Sequence, residues 1–312
     1  MNVVGRLAPS PTGAQHVGNA RTYVIAWLSA RSRGGRLLLR LEDIDSPRVR
    51  AGAATQTLDD LRWLGLDWDE GPVVQTERLS LYQEALCRLR AHELVYPCTC
   101  SRGDIERAAS APHADHDSSI YPGTCTHRRA TDAAALADRA WAWRLRVPME
   151  IITFNDSLRG SVSLDLETLG DVVVWKSSGT PAYQLAVVVD DAAMGITEVV
   201  RGDDLIPSTP WQVVLYRMLE LRAPAWCHVP LVVGPDGRRL AKRHGDTKLS
   251  SLRAAGVRPE ALLGLLAWSC GWLETYEPIR LPELLPLFRL ETIPPHPFVL
   301  EPRWLEMIGF SV

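Results

Sequence analysis

The stretch Arg6–Asn19, RLAPSPTGAQHVGN, decides how the chain is read, because it sets a strand end, a Pro- and Gly-ruled loop and an imidazole at a helix start within fourteen positions. Val3 and Val4 lead in as an apolar strand, and Pro9, Pro11 and Gly13 fix a tight loop that is closed to helix. Tyr23, Val24, Ala26, Trp27 and Ala30 follow at helical spacing, so a helix is predicted to begin near His16. At such a start, free backbone N–H groups and the positive end of the helix dipole favour an anion, and the imidazole adds a donor. The expectation is a phosphate site; the plain alternative is an ordinary strand-to-helix turn with a surface histidine.

Two further strands are predicted to end in charge. Arg36–Leu41 runs into Glu42, Asp43 and Asp45, and Glu198–Val200 runs into Arg201, Asp203 and Asp204. In open α/β sheets, ligands bind beyond the carboxyl ends of strands, so Arg6, Glu42 and Arg201 describe one pocket with both charge signs, suited to a zwitterionic amino acid. Taken singly, each is as readily a surface ion pair. After the strand Leu231–Val233, Gly234 to Gly237 form a turn, and Arg238, Arg239, Lys242, Arg243 and His244 load a loop with positive charge. Such a loop suits polyphosphate, or else nucleic-acid backbone or plain solvent.

The stretches RLAPSPTGAQHVGNART, LLLRLEDIDSPR, LRWLGLDWDEGP, YPCTCSR, YPGTC, PAYQLAVVVDDAAMGITEVVRGDDL and RRLAKRHG, in this order between Val3 and about Leu252, resemble the catalytic core of class I glutamyl-tRNA synthetases. The resemblance implies an α/β, Rossmann-type parallel sheet with an inserted zinc-containing α+β region and a helical C-terminal part. It implies residues 1–95 and 183–233 as the catalytic domain, 96–182 as the insertion, and 234–312 as a KMSKS-type loop with a helical region. No anticodon-binding domain is expected. His16, Val17, Gly18 and Asn19 match the HIGH-type signature, and Arg239 to Arg243 match the KMSKS-type one, with Arg239 in place of the usual Lys and Ala241 in place of the usual Ser.

Carried over residue by residue, the resemblance places ATP at Gly13, His16, Gly18, Asn19, Lys242 and Arg243, with His16 and Lys242 catalytic and Mg2+ accompanying the nucleotide. It places L-glutamate at Arg6, Leu7, Ala8, Pro9, Ser10, Glu42, Tyr183 and Arg201. Glu42 and Ser10 suit an α-ammonium, whereas Arg6 and Arg201 with the Tyr183 hydroxyl suit a side-chain carboxylate. Buried arginines left poorly paired against an amide favour glutamate over glutamine. Tyr183 opens a predicted strand, Gln184–Val189. The shorter members of this family activate glutamate without tRNA and transfer it to the queuosine base at the wobble position of tRNA(Asp). The rivals are a compact enzyme that charges a tRNA 3′ end and a non-catalytic RNA-binding paralogue.

A chain of 312 residues with 46% hydrophobic composition has ample core for two or three domains. Its net charge of −3 carries no global nucleic-acid signature, so RNA contacts are expected locally, as at Arg128 and Arg129 or the Arg238–His244 loop. No apolar run reaches a membrane span, since Ala261–Trp268 is broken by Gly264, and no signal peptide is evident. The expectation is a cytoplasmic monomer with reduced thiols. Cys87, in an amphipathic helix from Arg78 to Leu94, Cys227 and Cys270 are expected to be small buried residues.

Cys98, Cys100 and Cys125 flank the polar segment Ser101–Ser119, which is expected to be a flexible loop. Three thiolates and one further ligand are compatible with a tetrahedral structural zinc. The resemblance implies Tyr121 as the fourth; His113, His116 and His127 are more conventional rivals. Elsewhere, Gly65 reads as a helix stop, Thr131–Arg139 as an Ala-rich helix, and Trp141–Val147, Ile151–Phe154 and Val172–Trp175 as strands. Further helices are expected near Thr209–Leu221, from about Thr247, and at Pro259.

Overall fold

The structure, a computed structural model, describes residues 3–11, 14–44, 51–109, 120–136, 138–240 and 247–310. In chain order the strands are β1 (Val4–Leu7), β2 (Arg36–Leu41), β3 (Glu70–Val74), β4 (Val95–Cys98), β5 (Ala142–Leu145), β6 (Ile151–Asp156), β7 (Gly160–Asp165), β8 (Val172–Trp175), β9 (Glu198–Gly202), β10 (Ala225–Val229), β11 (Val232–Val233) and β12 (Phe298–Val299). The helices are α1 (Val17–Arg31), α2 (Ala53–Trp63), α3 (Leu79–Ala91), α4 (Arg102–Ala109), α5 (Leu166–Leu169), α6 (Tyr183–Ala193), α7 (Thr209–Met218), α8 (Leu249–Ala254), α9 (Pro259–Ser269) and α10 (Pro302–Met307).

β1, β2 and β3 pair in parallel, and β9, β10 and β6 pair in parallel with β7 antiparallel at the edge. The Thr197 N–H donates to the Val4 carbonyl at 2.9 Å, which lays β9 beside β1 and joins the two sets. The order then reverses between β1 and β9, the place where an α/β sheet opens a crevice. The apolar runs of β1 and β2 are buried on both faces, as a parallel sheet covered by helices requires.

On one face, α1 packs with α8 and α9 around Leu7, Ile25, Leu28, Leu39, Leu249, Leu262 and Leu266. Arg21, 1% exposed, stitches these helices together by donating to the Ser269 hydroxyl at 3.0 Å and to the Pro230 carbonyl at 2.8 Å. On the other face, α3, α6 and α7 pack around Tyr82, Leu185, Val188, Val214 and Trp226. The separate antiparallel sheet β4-β5-β8 belongs to the 96–182 region. That region is not sealed off from the parallel sheet, because β6 pairs with β10 at Asp156 and Trp226. No described helix is long and apolar enough to cross a membrane.

Four expectations are corrected. The segment Ser101–Ser119, expected to be a flexible loop, opens with the helix α4 (Arg102–Ala109). Gln184–Val189 is helix, not strand: Leu185 to Val189 is buried all round between neighbouring elements, and that packing overrides the β-preference of the valine run. The Ala-rich segment is a 3-10 helix at Ala130–Leu136. Cys87 is exposed, because it faces the solvent side of α3, whose inner face is built by Tyr82, Ala85, Leu86 and Leu89.

Candidate active site

A cavity of about 640 Å³ opens at the β1/β9 reversal. It brings together Arg6, Ala8, Glu42, Tyr183 and Arg201 at one end and His16, Gly18 and Asn19 at the other, with Asp204, Leu231, Val232 and Arg239 on its rim. The Leu7 side chain is instead wholly in the core, Pro9 is buried, and Ser10 is exposed outside the lining. Pro9 contributes through its carbonyl, which accepts from the Glu42 N–H at 3.0 Å. Gly13, Asp45, Ala241, Lys242, Arg243 and His244 lie outside the described residues.

His16 is the N-cap of α1. Its Nδ1 accepts from the N–H groups of Gly18 at 3.1 Å and Asn19 at 3.4 Å, while its own N–H donates to Asn19 Oδ1 at 3.0 Å. Two of the helix-start donors expected to be free are therefore taken by the imidazole itself, since a cap satisfies the orphan groups of a first turn. With Nδ1 accepting, the proton sits on Nε2 and the ring is neutral. Burial, helped by the charge of Arg239, pushes its pKa down to about 4. Gly18 leaves room for this ring: a Cβ there would crowd it, standing 3.0 Å from His16 Cε1 and 3.1 Å from Nδ1.

At the other end, the Arg6 guanidinium donates to the Val200 carbonyl at 2.9 Å and lies 3.7 Å from Asp191. Its Nε is buried with no hydrogen-bond partner. Burial lowers the Arg6 pKa, opposed by Asp191. Glu42 accepts from Arg40 at 2.9 Å; burial pushes its carboxyl up and Arg40 pulls it back. Arg40, 0% exposed, also donates to Asp191 at 2.7 Å, and Asp190 next to it accepts from Gln75, Arg78 and Tyr82. Arg201 donates to His228 Nε2 at 3.0 Å, to Gln212 at 2.8 Å, to Thr209 at 2.8 Å and, at 3.4 Å, to the Tyr183 hydroxyl. Burial raises the Tyr183 pKa, so its hydroxyl stays a donor.

The basic loop is anchored at both ends. Arg239 pairs with Asp204 and bridges to Val233. Beyond the loop, the Val17 N–H donates to the Thr247 carbonyl at 3.0 Å and the Leu249 N–H to the Gln15 carbonyl at 2.9 Å, so Lys248 runs antiparallel to His16.

A second constellation lies in the 96–182 region. The sulfurs of Cys98, Cys100 and Cys125 fall within 4.8 Å of one another. Cys100 and Cys125 are 3.7 Å apart, and the Tyr121 hydroxyl lies 3.4 Å from Cys98 Sγ and 3.9 Å from Cys100 Sγ. A tetrahedral zinc at ~2.3 Å from each sulfur sets ligand–ligand edges of roughly 3.5 to 3.8 Å. The donor set therefore fits the ion in both chemistry and spacing. Arg144 backs it, with Nε donating to Cys98 Sγ at 3.3 Å and its guanidinium 3.8 Å over the Tyr121 ring. His127 is exposed and outside this cluster, and His113 and His116 lie outside the described residues.

Sequence reasoning missed the residues behind the lining: Arg40, Asp190 and Asp191, and the Asp156–His228 pair. The signal was a charge inside an apolar run, as in LLLRL and AWCHV, which a buried strand tolerates only with a partner.

Comparisons with known proteins agree with this geometry. The profile described as tRNA synthetases class I (E and Q), catalytic domain, matches residues 2–277. The chain is 49% identical over 307 residues to a protein of Symbiobacterium thermophilum named glutamyl-Q tRNA(Asp) synthetase, with 94% of each chain covered. It is 50% identical over 282 residues to one of the same name from Rhodopirellula baltica, covering 86% of this chain and 85% of that one. A glutamate–tRNA ligase of Geobacter sulfurreducens is 42% identical over 85% of this chain and 57% of its own. Among solved structures, a glutamate-tRNA synthetase from Elizabethkingia anophelis superposes with a TM-score of 0.84 at 27% identity, covering 99% of this chain and 70% of that one. A glutamate tRNA ligase from Elizabethkingia meningosepticum, solved in complex with its amino acid, does so with a TM-score of 0.84 at 26% identity, covering 99% and 69%. With this profile match and close to half identity to the first two relatives, the chain belongs to the class I tRNA synthetases (E and Q), beside their members named glutamyl-Q tRNA(Asp) synthetase.

Proposed function

We propose that the protein activates L-glutamate with ATP, without tRNA, and transfers the glutamyl group to the queuosine base at the wobble position of tRNA(Asp). The observation that carries the first half is the Arg6 Nε–H, buried without a hydrogen-bond partner and 3.7 Å from Asp191, in a cavity that also holds Arg201 and, opposite in sign, Glu42. A ligand with one ammonium and a distal carboxylate satisfies all of them.

A glutamate α-carboxylate oxygen attacks the α-phosphorus of ATP, and the bond from that phosphorus to the bridging oxygen breaks to release pyrophosphate. A hydroxyl of the queuosine ring then attacks the carbonyl carbon, losing its proton as AMP departs. Glu42 holds the ammonium, and Arg6, Arg201 and Tyr183 hold the side-chain carboxylate. The His16 Nε2–H and Lys242 meet the charge that develops on the phosphates, with Gly13, Gly18, Asn19 and Arg243 completing the nucleotide site. Mg2+ accompanies ATP. Residues 1–95 and 183–233 form the catalytic domain; Cys98, Cys100, Tyr121 and Cys125 hold one structural zinc in the inserted region. The setting is the cytoplasm, where tRNA is modified.

The second half is supported by the relatives, since those named glutamyl-Q tRNA(Asp) synthetase reach 49% and 50% identity. The 42% identity to a glutamate–tRNA ligase favours one rival, charging of a tRNA 3′ end. The test is to incubate the protein with ATP, labelled glutamate and total tRNA, and to map the label. Label in the anticodon loop of tRNA(Asp) is expected. Label at a 3′ end supports the rival, and absence of glutamate-dependent pyrophosphate exchange rejects both.

A further inference from the structure

We infer that His228, held in a single tautomer by Asp156, is a positioning residue that presents Arg201 to the glutamate side-chain carboxylate without neutralising it. The inference rests on the proposal that Arg201 binds that carboxylate.

Arg201 and His228 are register partners on the parallel strands β9 and β10, so their side chains leave the same face of the sheet next to each other. They are 4% and 0% exposed, and Asp156, at the end of β6, is 5% exposed. Asp156 lies 2.6 Å from the His228 ring Nδ1 and accepts from the His228 backbone N–H at 3.0 Å and from the N–H groups of Leu158 at 3.0 Å and Arg159 at 2.9 Å. A carboxylate that takes three backbone donors is ionised and can only accept. Nδ1 must then carry the proton, and the Nε2 lone pair is left facing the Arg201 Nε–H at 3.0 Å. Burial and the Arg201 charge hold the ring neutral against the pull of Asp156.

The remaining acceptors on Arg201 are uncharged as well: Gln212, itself held by Gln184 at 2.8 Å, the Thr209 hydroxyl and the Tyr183 hydroxyl. Among the described residues no carboxylate pairs with Arg201. Arg40 is the contrast, since Glu42 and Asp191 engage it directly. An acid at position 228 would fix the guanidinium equally well but cancel its charge, and with it the preference for an anionic ligand. A neutral imidazole supplies a directional lone pair and leaves that charge to the substrate.

The test is glutamate-dependent pyrophosphate exchange with the full chain, with glutamate, glutamine and ATP varied in turn. His228→Asn keeps a donor near Nδ1 but places no acceptor at Nε2. It is expected to raise KM for glutamate tenfold or more and to lower the glutamate-over-glutamine ratio of kcat/KM, with kcat and KM for ATP within about threefold. His228→Gln, whose amide oxygen reaches the Nε2 position, is expected to restore KM for glutamate to within about threefold. Equal losses in both variants, or a fall in kcat with selectivity intact, overturn the inference. If His228→Asn melts below the assay temperature, Asp156→Asn decides: it frees the tautomer and is expected to raise KM for glutamate, whereas an unchanged value overturns the inference. Arg201→Lys separates the two levels. If it leaves KM for glutamate unchanged, the carboxylate assignment fails; if it raises KM while His228→Asn does not, only the role of His228 fails.

Discussion

Arg40 donates to Asp191 at 2.7 Å where solvent does not reach, tying the end of β2 to the end of α6 across 151 positions of sequence. The same guanidinium holds Glu42, so the carboxylate assigned to the substrate ammonium is set against a fixed post. Arg40→Met leaves the buried Asp191 with only the Arg6 guanidinium, 3.7 Å away. The expected loss is about 3–5 kcal/mol in urea unfolding, the scale seen when one partner of a buried pair is removed. Glu42→Gln, which leaves the Arg40–Asp191 contact, is expected to raise KM for glutamate with little change in melting temperature.

The His16 cap and the His16 phosphate donor are separable. His16→Ala is expected to lower kcat of pyrophosphate exchange by roughly 10²- to 10³-fold, as for loss of one preorganised donor, and to cost about 1 kcal/mol as a lost cap. His16→Asn restores the cap but not kcat. An Asn variant with wild-type kcat would remove His16 from the chemistry.

The same imidazole gives a pH signature. Its folded pKa of about 4 lies below the ordinary 6.5, so the native state binds fewer protons than the unfolded chain. Its contribution to stability is full above pH 6.5 and is lost as pH falls through 4. Urea unfolding of His16→Asn between those values should therefore show a smaller loss than the parent; parallel curves would contradict the neutral ring.

In the thiol cluster, Cys100→Ser is expected to abolish bound zinc. Arg144→Leu removes the cation that donates to Cys98 Sγ, and its zinc should pass to a chelator with an affinity loss of about 10- to 100-fold, the range for outer-shell partners. Tyr121→Phe with undiminished zinc content and affinity would exclude the phenol as a ligand.

Two glycines predict different phenotypes. Gly18→Ala crowds the His16 ring and should lower kcat in a folded protein. Gly264→Ala puts a Cβ 2.0 Å from the backbone oxygen of Glu277, where nothing flexible can yield, and should lower the melting temperature instead.

Arg6, Glu42 and Arg201 were legible because a charge just after an apolar strand is a local pattern, and parallel sheets put such ends together. Their supports were not. Asp191 is far from Arg40 in sequence, and Asp156 is 72 positions from His228; only the strand order brings them within reach. The misread of Leu185–Val189 has the same origin. A valine run buried on all sides carries no polar face, so neither period shows, and residue preference alone points to the wrong element. Cys87 erred differently: its helix was legible, but the sequence did not say on which face the residue lay.

The basic loop is moored to Val233 at Arg239 and to His16 at Lys248. Arg239 lines the cavity and its charge bears on the His16 ring, and the other mooring is the backbone of that same imidazole. Both fixed points of this connection therefore stand at the His16 end of the cavity.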